Sequence, residues 1–445
     1  MDRVNSTNAG LFWCGFSIPK LVRFLGGPHL GEHCNVAKTI CRLRPSVDPN
    51  TLQELYRIFV YGAPKACQAL ATEENFLAYL RYGNHGTAAN NPDELRKVFV
   101  KDMKRGFAIV LDKRFIPFIL DLHVTPLGIV DIDNPWKQLR PVFDSSFHPL
   151  PDSMAINDWT NKANEPQVVF PGSFFRLLRW IWNLRITYPD TAILLGDNDI
   201  TGAFRLIKYN PWVVLMHGFV VDDFLGLATG QTFGDTASPG NFEVAAIARQ
   251  QHAAYLWAHQ SQEVLQRAHE FVQQMSFNTG PRDLAFASAN ADSLNHGVLD
   301  EYGHRVPPPF PHQVDDCMFA DVPEHMPLTA AASMVALEDI FGEKHPCQEH
   351  VLSFDKLNLS FDEYRDVVGH HVDTQRMVVG ISACRREKII QFIESEGWLL
   401  PKKATIQEIA SVYGLLDNAS EFFPWARAHL LNLRSLLVDC IRRTY

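Results

Sequence analysis

The spacing of apolar residues changes along the chain and divides it into four stretches. Up to about residue 95 apolar positions recur at helical intervals. Thr51-Leu52-Gln53-Glu54 reads as a capping box opening a helix through Leu55, Ile58 and Phe59. Ala63-Pro64 and the run from Tyr82-Gly83-Asn84-His85-Gly86 to Pro92 interrupt the pattern. Residues 1–95 are therefore expected to form a helical N-terminal extension, with no chemistry suggested by its residues.

From 96 to 190 the pattern is mixed. Phe107–Leu111, Pro126–Val130 and Leu139–Asp144 read as short extended pieces, and Phe174–Leu184 as a helix whose Trp180 and Trp182 are expected in the core. From 191 to 382 strands and helices alternate. Ala192-Ile193-Leu194-Leu195-Gly196-Asp197-Asn198-Asp199 is a strand ending in carboxylates and running into Ala203–Leu206. Trp212–Val221 reads as a strand and Asn241–Met275 as one long helix. Residues 278–311 form an irregular loop insertion rich in Gly, Pro, Asn and Asp. Pro311–Asp321 then reads as strand, tight turn, strand, with Asp315 and Asp316 at the tip. An Ala-rich helix over Leu328–Phe341 and a second hairpin from Val367–His371 and Met377–Ile381 complete this stretch. Residues 383–445 are helical, with a capping box at Thr405-Ile406-Gln407-Glu408 and a last helix starting at Pro424. The fold class implied is α+β.

At 445 residues, 46% hydrophobic and 20% charged, the chain has the composition of a soluble globular protein of two or three domains. No apolar run reaches the roughly 18–20 residues of a membrane span. The first residues lack the basic-then-apolar signature of a signal peptide, so an intracellular location, cytoplasmic or nuclear, is expected. Eight cysteines are too sparse for a disulfide scaffold and are expected as free thiols. His29, His33, Cys34 and Cys41 match no common zinc-finger spacing. A net charge of −9 argues against a protein that coats nucleic acid non-specifically. The basic run between Arg96 and Arg114 reads most simply as a solvated helix face.

The chemistry lies in the carboxylates. Two strand ends that each present a carboxylate can hold a pair of divalent ions, the arrangement that nucleotidyl transfer requires. Asp199-Ile200-Thr201-Gly202-Ala203-Phe204-Arg205, Phe233-Gly234-Asp235-Thr236-Ala237-Ser238-Pro239 and Val314-Asp315-Asp316 stand in that order. The set resembles motifs A, B and C of reverse transcriptases, in particular those of LTR-type and tyrosine-recombinase (DIRS-type) retrotransposons. The resemblance covers about residues 105–435 and implies a right-hand polymerase. It places fingers at 96–190, a palm of antiparallel sheet and helices at 191–382, and a helical thumb at 383–445.

The resemblance also implies roles. Asp199, Asp315 and Asp316, with the backbone carbonyl of Ile200, would hold two magnesium ions, with manganese as a substitute; Asp316 is the supporting carboxylate. Phe204 takes the steric-gate position against a ribose 2′-hydroxyl, so the implied substrate is a dNTP and the implied partner an RNA or DNA template-primer. Phe233, Gly234, Ser238 and Pro239 resemble the loop that positions template and incoming base. Arg140 matches the arginine that grips the triphosphate, and Lys356 the lysine that protonates the leaving pyrophosphate. Arg376-Met377-Val378-Val379-Gly380 resembles the primer grip, with Met377, Val378 and Gly380 against the primer end.

Val220-Val221-Asp222-Asp223-Phe224 mimics the metal-binding hairpin but precedes the second motif, and reads as a hairpin without metal. Three departures from the family are visible. Gln313 stands where Tyr or Phe is usual, Asp131 and Asp133 follow Pro126-Leu127-Gly128 where lysine is expected, and the stretch between the second and third motifs is long. No protease, integrase or ribonuclease H motif is recognisable. Alternative readings are a silent reverse-transcriptase relic acting as a nucleic-acid-binding or interaction module, and an unrelated two-metal nuclease.

Overall fold

The computed structural model describes residues 2–27, 35–67, 72–130, 140–168, 172–272, 276–278, 297–353, 360–395, 397–398, 403–420 and 424–444. Lys356, Asp131, Asp133, His29, His33, Cys34 and most of the 278–311 insertion lie outside the described residues.

A five-stranded sheet organises the centre. Its order is Ser276–Asn278, Ser360–Asp362, Leu194–Asn198, Asp316–Asp321, His312–Gln313. The middle strand pairs antiparallel with Asp316–Asp321, Leu194 opposite Asp321 and Asn198 opposite Cys317. Side chains alternate between the two faces of a strand. Leu194, Cys317 and Phe319 join one core with the helices Ser238–His259 and Met326–Phe341. Ile193, Leu195, Met318 and Ala320 join another, against the helix Ser173–Thr187. Gly196 is fixed by this packing, because a Cβ there would lie 2.3 Å from the Phe319 ring. The helix Met326–Phe341 is buried at all but one position, which accounts for its Ala-rich, apolar sequence. Three smaller antiparallel sheets complete the strands among the described residues: Ala108–Asp112 with Phe224–Ala228 and Gly218–Val221; Leu127–Val130 with Arg140–Phe143; and Tyr364–Val367, His370–Asp373 and Val378–Ile381.

The N-terminal stretch shares these cores. Leu43, Val47, Leu55, Ile58, Phe59 and Ala63 lie in the same cluster as Leu194 and Phe204, and Leu11, Ile18, Leu21 and Val22 pack with Ile109 and Leu111. Ala63 bridges to Tyr209, and Gly62 is required there because a Cβ would meet the Asn210 nitrogen at 2.4 Å.

Several local expectations change. The helix expected to open at Thr51 opens at Pro49, capped by Asp48, whose carboxylate accepts from the Asn50 and Thr51 N–H groups. A carboxylate followed by proline is itself a strong start signal and overrides the downstream capping box. Trp212–Val221 is a 3-10 turn over Val213–Met216 followed by the strand Gly218–Val221. The long helix breaks at Gln260, in the left-handed region, into Ser238–His259 and Gln262–Val272. The second hairpin turns at Val368-Gly369, within the expected strand, and Val378–Ile381 adds as a third strand. Trp180 is buried and donates to the Ala320 carbonyl at 2.8 Å, whereas Trp182 is 58% exposed. The capping box at Thr405 and Glu408 and the final helix from Pro424 are as expected. Among the described residues no helix is long and apolar enough to cross a membrane.

Burial holds four histidines neutral. His123 and His217 are pushed down to about 3, and His345 and His370 to about 4. An unfolded chain protonates histidine near about pH 6.5. Between that pH and the folded values the unfolded state binds more protons, so acid favours unfolding. Stability measured by chemical denaturation should fall steadily from pH 7 to pH 5, by about 1 kcal/mol per pH unit for each such histidine. A flat profile over that window would contradict the buried, neutral assignment.

Candidate functional site

Strand pairing brings the carboxylates together. Asp199 directly follows the strand Leu194–Asn198, and Asp316 begins the strand opposite. Gln313 pairs with Asp316, so Val314 and Asp315 are the two residues of a tight turn. Val314 has φ +58°, a conformation unusual for a β-branched residue and one that stores strain of about 1–3 kcal/mol. The consequence is that Asp199, Asp315 and Asp316 offer carboxylate oxygens all within 4.8 Å of one another. Two like charges that close repel by about 3 kcal/mol at an effective dielectric constant of about 20. Asp199 is only 8% exposed, which adds desolvation to repulsion. A set of hard oxygen donors suits magnesium or manganese and not zinc, so the residues present fit the divalent ions the sequence implies. Ile200 is buried and bridges to Leu352, and the two hydrogen bonds flanking that bridge use the Asp199 carbonyl and the Thr201 N–H. The Ile200 carbonyl takes no part in the bridge.

The residues of the second motif form a loop held from several sides. Phe204 lies buried against Phe233 and Phe242, with ring centroids at 5.1 and 5.6 Å, while Phe233 remains 42% exposed. The Phe143 N–H donates to the Phe233 carbonyl at 3.2 Å. Gly234 has φ +101°, and a Cβ on it would sit 1.9 Å from the Phe143 carbonyl oxygen. Asn157 donates to the Gly234 carbonyl at 2.8 Å and accepts from the Thr236 N–H at 3.1 Å. Ser238 donates to the Thr232 carbonyl at 2.9 Å, and Pro239 lies in the first turn of the helix Ser238–His259.

Sequence reasoning passed over Asp235, the buried anchor of this loop. Lys65 Nζ donates to its Oδ1 at 2.5 Å and the Tyr209 hydroxyl to its Oδ2 at 2.6 Å, with the His217 ring, stacked on Tyr209, at 3.5 Å. Burial pushes the Asp235 carboxyl up, but the Lys65 ammonium and the Tyr209 hydroxyl hold it below the usual range. Lys65 comes from the N-terminal stretch, and no local sequence signal links it to residue 235.

Other expected positions lie on separate elements. Arg140 is exposed at the start of the strand that contacts Phe233 through Phe143. Val378 and Gly380 lie on the strand Val378–Ile381, preceded by Met377 at φ +54°. The look-alike Asp222 and Asp223 turn between Gly218–Val221 and Phe224–Ala228, where Arg96 pairs with Asp222 at 2.5 Å and Lys113 with Asp223 at 2.8 Å. Much of the basic run is thus matched by local acids, including Arg105 with Glu349 and Arg114 with Asp112.

Three variants test the loop. Gly234→Ala should destabilise by about 3 kcal/mol, since it meets backbone at a left-handed position. Lys65→Met should cost about 3–5 kcal/mol by leaving the Asp235 carboxylate buried without its cation, and Lys65→Met with Asp235→Asn should recover part of that loss. Denaturant titrations of the three variants read both effects, and an unaltered midpoint in Lys65→Met would contradict the buried pair.

No protein-family description matches this sequence, and no curated protein does. Among solved structures, the chain is similar to a foamy viral protease–reverse transcriptase in complex with double-stranded DNA. That comparison has 13% identity and a TM-score of 0.44, covering 91% of this chain and 55% of that one. It is similar also to a foamy viral protease–reverse transcriptase in complex with an RNA/DNA hybrid, at 12% identity and TM-score 0.44, covering 91% and 42%. The chain thus spans about half the length of these solved chains, 55% and 42%.

Proposed function

We propose that this protein is an RNA-directed DNA polymerase of a retroelement, adding deoxynucleotides to a primer 3′-hydroxyl. The observation that carries the reading is the convergence of Asp199, Asp315 and Asp316 within 4.8 Å, from strand ends far apart in sequence. The order in which those carboxylates flank the Phe233–Pro239 loop supports it, as does the contact of buried Phe204 with the exposed ring of Phe233.

In this reading residues 96–190 are the fingers, 191–382 the palm and 383–445 the thumb. Asp199 and Asp315, with the Ile200 carbonyl, would hold two magnesium ions, and Asp316 would support them. When bound, these ions supply an acidified primer hydroxyl and charge neutralisation on the triphosphate. The chain's residues do the positioning. The Phe204 ring closes the space where a ribose 2′-hydroxyl would lie, and Gly234 lets the loop backbone approach template and base. Arg140 grips the triphosphate in a bidentate manner and Lys356 delivers a proton to the departing pyrophosphate. Met377, Val378 and Gly380 align the primer end. The new bond joins the primer oxygen to the α-phosphorus as the bond to the β-phosphate bridge breaks.

The test is extension of a primed RNA template by the purified full chain with magnesium and dNTPs. Asp199→Asn and Asp315→Asn should each lower incorporation by about a thousandfold or more, the scale on which essential catalytic groups act. Asp222→Asn should stay within about twofold. Extension that persists in Asp199→Asn would sink the proposal, and template binding without incorporation by the wild type would favour the silent relic. Phe204→Val should raise ribonucleotide use about tenfold or more relative to dNTPs, read from competing incorporation.

A further inference from the structure

A cation lies buried beneath the carboxylates. Arg249, on the helix Ser238–His259, is 3% exposed. One of its terminal nitrogens, Nη2, donates to the Asn198 side-chain carbonyl and, at 3.2 Å, to the Ser333 hydroxyl, both neutral groups. Asn198 also donates to Ser333 at 3.0 Å, and the Cys317 sulfur lies 3.4 Å from the same hydroxyl. The Arg249 Nε is buried without a hydrogen-bond partner. Asn198 and Cys317 are the cross-strand pair immediately before Asp199 and immediately after Asp316. The guanidinium therefore sits one residue-pair below the triad, on the opposite face of the sheet from the carboxylates of those next residues.

An arginine remains charged in any protein interior. Burying one against neutral groups, with one N–H unsatisfied, is costly unless anions lie within electrostatic reach. Burial draws the Arg249 guanidinium down, and Cys317, Asp199, Asp315 and Asp316 draw it back. The compensation runs both ways: the same charge offsets repulsion among the three carboxylates.

We propose that Arg249 is a positioning residue that acts as the internal counter-ion of the triad, holding the carboxylates together without metal and setting how tightly they take a divalent cation. This rests on the metal-centre reading above. It separates two roles that the contacts alone would merge. A strut needs only a donor that braces Asn198 and Ser333, as the single nitrogen Nη2 does, whatever its charge. A counter-ion needs the charge.

The experiment is calorimetric titration of the full-length protein with Mn²⁺, paired with thermal unfolding in chelator and in Mn²⁺. Arg249→Met should bind Mn²⁺ about tenfold more tightly than the wild type, because a repelling charge beside the site has gone. Its Tm should be lower in chelator and recover in Mn²⁺. Arg249→Lys should keep an affinity within about threefold of the wild type. Unchanged or weaker binding in a folded Arg249→Met overturns the inference. If Arg249→Met does not fold, Arg249→Gln, which keeps a side-chain donor without the charge, decides: tighter Mn²⁺ binding with a Tm lowered in chelator and recovered in Mn²⁺ supports a counter-ion, and near-wild-type Tm in chelator with unchanged affinity indicates a strut. A wild type that binds no Mn²⁺ overturns this inference and the metal reading together; a wild type that binds, with Arg249→Met unshifted, overturns only the inference.

Discussion

The antiparallel pairing of Leu194–Asn198 with Asp316–Asp321 is the constraint on which the rest depends. Side chains alternate along a strand, so a slip of one residue would move every side chain of the sliding strand to the other face. The surrounding structure holds one register from both sides. On one face Phe319 occupies the space left by Gly196, and on the other Trp180 bonds to the Ala320 carbonyl. At the hairpin base His312 lies 3.2 Å from Glu243 and Gln250 reaches the Pro309 carbonyl at 2.7 Å. The carboxylates converge because these contacts hold the two strands in one register.

The helix Ser238–His259 serves as the common wall. It receives the loop carrying Phe233 and Gly234 at its start, meets the hairpin base through Glu243 and Gln250, and places Arg249 below the triad. Further along, His252 contacts Asp339 at 3.0 Å and Ser46 at 2.7 Å, which ties in the N-terminal stretch. Polar groups buried this deeply must be satisfied by partners from distant segments. That requirement explains why Lys65, Tyr209 and Asn157 all converge on one short loop.

The triad was legible because chain order and residue type carry it. Chain order alone separates Asp199, Asp315 and Asp316 from the more conspicuous Asp222-Asp223, and the structure supplies a physical contrast in Arg96 and Lys113 beside the latter pair. Gly234 was legible as part of the second motif, though not its close approach to the Phe143 carbonyl. Asp235, Lys65 and Arg249 were not legible. Each is a single charged residue whose meaning comes from a contact far away in sequence, and periodicity records only local burial. Element boundaries suffered from competing local signals, as at Asp48-Pro49, where two start motifs overlap. The break at Gln260 falls where a left-handed residue interrupts a pattern that apolar spacing alone would continue.

The shared core of the N-terminal stretch bears on how the chain is made. Leu55, Ile58 and Phe59 are buried with Val335, Leu337 and Phe341. The partners of this early helix on Ser238–His259 are synthesised roughly 190 residues later and Phe341 roughly 280 later, separations of about half a minute to a minute at about 5 residues per second. Through that interval the first helices leave the ribosome with apolar faces uncovered, and local hydrogen bonding alone seldom holds so short a helix. Closure of the core is thus a late, long-range event, of the kind that slows folding and exposes a nascent chain to aggregation. Production of the protein in a foreign host should depend on chaperone supply during synthesis more than on the stability of the finished fold.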